Sequence, residues 1–352
     1  MDFKPDYTYF EKVLYNERPS RLPIYEHIIS TEIMEAILDT PFADLIEGSS
    51  SDIAHFFEQY CRFFSEMTYD VVSYEVCITT VLPESGAILG GKPGPIQNRS
   101  DFKEYPWQEI PDRYWKLAGP RFDALVAALP DGMKAIGGVG NGVFEISEDL
   151  VGLEYLPFIM ADDPELHGML YTKIGDLMVS IWTRFLQQYA NSFVGCRFGD
   201  DLGFKSSLLT NPSTIREQII PQYNRVVNLV HAARKPFLWH SCGCIFQVME
   251  EMIAIGIDAK HSNEDAIAPF DKWIELYGDR IGLLGGFDMD FICQKTPEDI
   301  FESVVEFGQR YRKRARGYAL GSGNSIPDYI PVENYLAMVQ GAQRIREIEM
   351  RQ

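Results

Sequence analysis

Cations are scarce in this chain. Lys and Arg number 32 against 51 Asp and Glu in 352 residues, which sets the formal net charge at −19 and the pI near 4.7. Such a surface repels phosphate backbones and anionic lipid heads, so neither nucleic acid nor a membrane surface is expected as a partner. Long apolar runs are missing too: no stretch approaches the ~18 residues of a transmembrane helix. The opening residues Met1 to Asp6 have neither the apolar core nor the cleavage pattern of a signal peptide. The six cysteines are scattered apart from Cys242 and Cys244, which argues against a disulfide framework. These absences predict a reduced, cytoplasmic protein. The one basic run, Arg312-Lys313-Arg314-Ala315-Arg316, reads as the last turn of a helix, where cations suit the macrodipole. With no Ser/Gly linker, low-complexity tract or short repeat, residues 1–352 read as one domain.

What recurs is a short β-prone run followed by a longer helical pattern. Eight such runs are found: Leu22 to Ile29, Asp70 to Val76, Lys134 to Val139, Ser192 to Phe198, Pro236 to His240, Ile257 to Lys260, Ile281 to Gly286, and Gly317 to Leu320. Helix starts are marked by Asp163-Pro164, Asn211-Pro212 and Thr296-Pro297, with Asp299 at capping-box spacing from Thr296, and by Pro331. Strands alternating with helices predict a parallel sheet, and eight of them an α/β fold of the TIM (β/α)₈ barrel type. The proline-rich stretch 82–120 reads as an irregular insertion after the second strand, either a lid or an oligomer contact. A dinucleotide fold is disfavoured, because Gly137-Gly138-Val139-Gly140-Asn141-Gly142 fits G-x-G-x-x-G in no register.

Barrel enzymes carry their chemistry at the C-terminal strand ends. Polar residues stand at each predicted end: His27, Glu75, Asn141 and Glu145, Arg197 with Asp200 and Asp201, His240 with Cys242, His261 with Asn263 and Glu264, Asp288, and Ser322 with Asn324. The segment His240-Ser241-Cys242-Gly243-Cys244 is the sharpest local signal. Imidazole and thiolate are preferred Zn²⁺ ligands, and in an extended chain alternate residues point the same way. The spacing alone also fits a buried filler cysteine beside a hydrogen-bonded wall histidine. One of Asp200 and Asp201 reads as functional, with Asp201 ahead and the other capping a helix.

Asp200-Asp201-Leu202-Gly203, His240-Ser241-Cys242-Gly243, Gly285-Gly286-Phe287-Asp288, and Pro327 through Glu333-Asn334 and Met338 occur in order and at fitting intervals. In these the chain resembles the uroporphyrinogen decarboxylase superfamily from about Glu17 onward, including its zinc-dependent, corrinoid-linked methyltransferases. Decarboxylases of the family carry an arginine-bearing segment near the N-terminus that grips a polycarboxylate. The matching stretch, Leu22 to Ile29, has no arginine and contains Glu26, an anion that would repel such a substrate. The methyltransferase branch is nearer, since its zinc motif is a His-x-Cys pair with a distant cysteine. His240 and Cys242 match the pair, but Ser322 stands where the distant cysteine would fall. A serine hydroxyl is a weak zinc ligand, so either Cys244, Asp201 or Glu264 completes the set, or the metal is bound weakly or not at all.

The resemblance implies a methyltransferase moving a methyl group between a small methylated compound and a corrinoid protein, with Zn²⁺ on His240 and Cys242. Asp201, Asp288 and Glu145 would be catalytic. His27, Glu75, Asn141, Arg197, Asp200, His261, Glu264, Ser322 and Asn324 would line the substrate site. The partners implied are a corrinoid protein, the small molecule, and a second copy of the chain if 82–120 is an oligomer contact. Two rival readings stand beside it. One is a metal-free lyase or decarboxylase using Arg197 and the aspartates on another small acid. The other is a corrinoid- or tetrapyrrole-binding protein with His240 as axial ligand.

Overall fold

Seven parallel strands follow one another in chain order around the sheet of the computed structural model, which describes residues 3–264 and 266–351. They are β1 (Val71–Cys77), β2 (Lys134–Gly140), β3 (Phe193–Gly199), β4 (Phe237–His240), β5 (Ala259–His261), β6 (Gly282–Phe287) and β7 (Tyr318–Ser322). Helices surround them, and the architecture is TIM-barrel-like, as the alternating pattern predicts.

The count differs from the eight predicted runs at the first of them. Leu22 to Ile29 is not a ladder strand; it makes two isolated parallel bridges, Ile24 to Leu320 on β7 and Ile29 to Ile326 just beyond it. Pro23 has no N–H with which to extend the ladder. Its carbonyl accepts from Leu320 N (3.0 Å), and Tyr25 N donates to the Leu320 carbonyl (2.9 Å). Toward β1 the segment is tied by a side chain instead, the Ser73 hydroxyl donating to the His27 carbonyl (2.6 Å). The segment thus fills the gap between the two edge strands.

Alternation along the strands divides the interior into levels. Val71, Ile136, Val194, Leu238, Ala259, Leu284 and Ala319, one from each strand, form an apolar cluster with Tyr25. The helix Tyr7–Leu14 plugs it with Phe10, Val13 and Leu14. Two residues further along β4 and β5 come His240 and His261, so the polar level begins directly above the plug.

Three of the four predicted helix starts carry a side-chain cap, while Pro331 precedes the helix Val332–Glu349 without one. Asp163 accepts from Leu166 N, Asn211 from Ser213 N and Thr296 from Asp299 N. The basic run ends the helix Pro297–Arg314. The stretch 82–120 divides differently from the expectation. Its first part is short turns and the helix Arg99–Glu104, but from Ile110 it belongs to the regular helix Ile110–Ala128, with Pro111 in the first turn and Pro120 accommodated inside. The irregular part is bound down over the helix Val143–Val151. Gly86 N and Ile88 N donate to Asp149, while Gly94 N and Ile96 N donate to the carbonyls of Val151 and Leu150.

Closing the seam buries an acid. Glu26 is 1% exposed; its Oε1 accepts from Ser322 N (2.8 Å) and its Oε2 bonds the Ser322 hydroxyl. That hydroxyl also donates to the Asn324 carbonyl (2.7 Å), so its single proton is committed there and Glu26 supplies the proton between them. Burial pushes the Glu26 carboxyl up to about 8, outweighing the opposing pull of its bonds to Ser322. Glu26 is therefore a neutral element of the seam, and it does not face substrate as the sequence suggested.

Two outcomes are expected. A raised folded-state pKa stabilises the fold below the unfolded value near 4.5, and this contribution is lost as pH rises toward 8, at about 1.4 kcal/mol per pH unit per proton. Glu26→Gln, which mimics the neutral acid, should therefore gain in thermal midpoint relative to the parent across pH 5–8; parallel profiles would refute this. At Gly321 an added Cβ would lie 1.8 Å from the Tyr25 carbonyl oxygen. Gly321→Ala should cost about 3 kcal/mol or more by denaturant titration, as overpacking against backbone does.

Candidate active site

The register of the strands assembles the site. Gly199 on β3 pairs with His240 on β4, and His240 with His261 on β5. Two residues beyond the first pair, Asp201 and Cys242 leave their strands side by side, and Cys242 N donates to Asp201 Oδ1 (2.9 Å). The loops are held together by backbone: Cys244 N donates to the Phe204 carbonyl (2.7 Å), and a Cβ on Gly243 would lie 2.1 Å from Gly203.

A chain of hydrogen bonds fixes the imidazoles. His261 Nε2 lies 3.0 Å from the Ser322 carbonyl, which can only accept, so that nitrogen carries the proton. His261 Nδ1 is then an acceptor, and His240 Nδ1, 2.9 Å away, must donate to it. This leaves the His240 Nε2 lone pair facing Cys242 Sγ at 3.5 Å. His27 stacks on His240 with ring centroids 3.7 Å apart and planes 12° apart, which fixes the tilt of the ring. Burial, with nearby positive charge, keeps all three imidazoles neutral; His261 is lowered to about 3.

This arrangement suits a metal. A ligating histidine normally donates its other ring N–H to an acceptor that fixes tautomer and orientation, and His261 supplies that acceptor. Cys242 Sγ accepts from Asn324 Nδ2 (3.3 Å), whose amide also reaches Glu264 Oε1 (2.8 Å). Two sets of side chains bring possible ligand atoms within 4.8 Å of one another: Asp201, His240 and Cys242, and His27, His240 and His261. Without a metal, burial pushes the Cys242 thiol well up, and neighbouring Asp201 adds to the shift.

Several other predicted residues are placed elsewhere. Arg197 is wholly buried and does not reach a substrate. Its Nε and Nη2 hold Glu75 (3.0 and 2.8 Å), and its Nη1 donates to Tyr25 and Ser73. Glu75 is thereby taken as well. Asp200 is structural: its carboxylate accepts from Phe144 N and Glu145 N in the first turn of Val143–Val151 and from the Tyr223 hydroxyl. Ser322 is committed to Glu26, so its hydroxyl is no zinc ligand. Asn141 stands at φ 66° and braces Thr79 through its carbonyl oxygen. Its amide donates to Glu145 Oε2 (2.8 Å). Burial and the facing Asp200 and Asp201 push Glu145 well above the usual carboxylate range. Asp288 caps the helix Met289–Gln294 through Asp290 N (2.8 Å) and also borders a cavity of about 360 Å³ with Lys205, Glu264, Asn324 and Tyr329.

Sequence reasoning passed over Lys260. It is buried on the outer side of β5, over the Trp273 ring (4.3 Å), and donates to the carbonyls of Ser241 and Ser262 that flank the site. Burial lowers its pKa to about 7. A lysine between Ala259 and His261 was the only signal.

No helix among the described residues is long and apolar enough to cross a membrane. No curated protein sequence matches the chain. Among solved structures, a methyltransferase from Methanosarcina mazei is similar, with 15% identity and a TM-score of 0.71 over 96% of this chain and 98% of that one. An endoglucanase from an uncultured bacterium is far less alike, with 9% identity and a TM-score of 0.43 over 85% and 91% of the two chains. At these identities the likeness concerns the fold. The family profile reaches further: residues 10–345 match uroporphyrinogen decarboxylase (URO-D), and the chain belongs to that family.

Proposed function

We propose that this protein is a methyltransferase that moves a methyl group between a small methylated compound and a corrinoid protein, with zinc held by His240 and Cys242. The observation that carries the reading is the chain from the Ser322 carbonyl through His261 to His240, which presents one imidazole lone pair to one cysteine sulfur. Bound there, zinc would supply Lewis acidity toward a donor oxygen or lower the pKa of a coordinated thiol.

The chain's own residues would do the rest. His261 holds the His240 ring, and Asn324 donates to the sulfur as it becomes a thiolate. Glu145 takes the Asn141 amide on Oε2, and burial with the facing Asp200 and Asp201 favours its protonated form, which in this reading would serve as the proton donor. Asp288 and Glu264 border the adjoining cavity, which has room for a small donor or acceptor. The corrinoid partner is supported by exposed apolar residues on segments following β1, β2 and β3: Leu89, Phe158 and Phe204 are 89%, 64% and 60% exposed. Porphyrinogen decarboxylation has little support here, since the cavity offers a polycarboxylate one cation, Lys205, among three acids, Glu264, Asp288 and Asp290. Arg197, on which a metal-free decarboxylase would depend, is closed off by Glu75.

Purified protein should contain about one zinc per chain by elemental analysis. Cys242→Ser should lose most of it and lower the methylation of a corrinoid protein, followed by the cobalt absorption spectrum, by at least about 100-fold. Undiminished transfer in Cys242→Ser or in chelator-treated protein would refute the zinc role.

A further inference from the structure

We propose that Asp201 is the third protein ligand of the metal, in place of the thiolate that Ser322 does not provide. This rests on the zinc reading above and adds to it which side chain closes the set.

Three observations point to Asp201. First, the register that opposes Gly199 to His240 carries Asp201 alongside Cys242, and the Cys242 N–H clamps Asp201 Oδ1. No other backbone N–H among the described residues bonds this carboxylate, so an oxygen is left for a cation. Its ligand atom already lies within 4.8 Å of those of His240 and Cys242. Tetrahedral zinc with bonds of 2.0–2.3 Å spaces its ligand atoms ~3.3–3.8 Å apart, so rotation about the side-chain bonds of a half-buried aspartate suffices to close the set.

Second, the competing residues are out of reach or otherwise engaged: Cys244 belongs to neither set of ligand atoms lying within 4.8 Å of one another. The Ser322 hydroxyl is held by Glu26 and the Asn324 carbonyl. Glu264 is separated from the sulfur by the Asn324 amide, which donates to both. The three-histidine set is poorly shaped for chelation. Rings stacked 3.7 Å apart with planes at 12° send their lone pairs side by side instead of to one point. The facing Nδ1 atoms of His240 and His261 share a hydrogen.

Third, the charge balances. Zinc on a neutral imidazole and one thiolate carries a net positive charge, beside the buried rings of His240 and His261. An uncompensated buried charge is costly. A carboxylate neutralises it; a serine hydroxyl does not.

The test compares the metal-stripped full-length protein with Asp201→Asn, Asp201→Cys and Glu264→Gln. Zinc affinity is read by chelator competition, and coordination by the visible spectrum of the cobalt(II)-loaded protein. Asp201→Asn keeps an acceptor for the Cys242 N–H, so the loop stays in place while the charge is lost. It should weaken zinc binding by about 100-fold and reduce the intense bands of four-coordinate cobalt. Asp201→Cys should restore tight binding and about double the thiolate-to-cobalt charge-transfer intensity, since two sulfurs then ligate. Glu264→Gln should stay within about threefold of the parent. Parental affinity and spectrum in Asp201→Asn, or no added thiolate intensity in Asp201→Cys, would overturn the assignment while leaving zinc on His240 and Cys242. Failure of the parent itself to bind zinc or cobalt would instead remove the zinc reading, and this proposal with it.

Discussion

Gly321 and the Tyr25 carbonyl meet at the seam of the barrel with no room for a methyl group between them. This contact sets how far the last strand can slide past the first extended segment, and the site depends on that setting. It brings the Ser322 carbonyl to His261, the Ser322 N–H and hydroxyl to Glu26, and the stacked ring of His27 to His240. The seam is stitched by two bridges and a buried neutral acid instead of a full ladder, so its strength comes from a few well-placed polar atoms. The orientation of His240 is determined two hydrogen bonds away, at a backbone carbonyl of β7.

Much of the frame was legible in the residues. The β-prone runs and the Asp-Pro, Asn-Pro and Thr-Pro helix starts depend on local chemistry, and local chemistry decided them. The common direction of His240 and Cys242 followed from alternation alone. Pairings across the barrel could not be read this way, because register is a tertiary property. Nothing local says that position 201 stands opposite 242, or 240 opposite 261. Arg197 appeared as a free cation because its partner Glu75 lies 122 positions away. Glu26 appeared as an exposed anion because burial, which neutralises it, has no sequence signature. The opening run was overcounted as a strand because its β propensity is real, while Pro23 denies it a donor.

Electrostatics supports the proposed methyl transfer over the activity that gives the family its name. Arg197 is closed on Glu75, Asp200 and Asp288 cap helices, and burial favours the protonated form of Glu26 and Glu145. Glu148, like Glu26, is raised to about 8 by burial, with Asp200 and Asp201 adding to the shift. In the proposed reading, such a site has protons to give and little positive charge to present, which favours small neutral or cationic substrates over polyanions.

The two loops that follow β3 and β4 touch through bare backbone at Gly203 and Gly243 and share the bond from Cys244 N to the Phe204 carbonyl. Such a junction has no side chain at the contact through which to accommodate change, so a shift of one loop must be matched by the other. Grafting either loop alone from a relative would misplace both. The unit of exchange at this mouth, for evolution or for a protein engineer, is the pair.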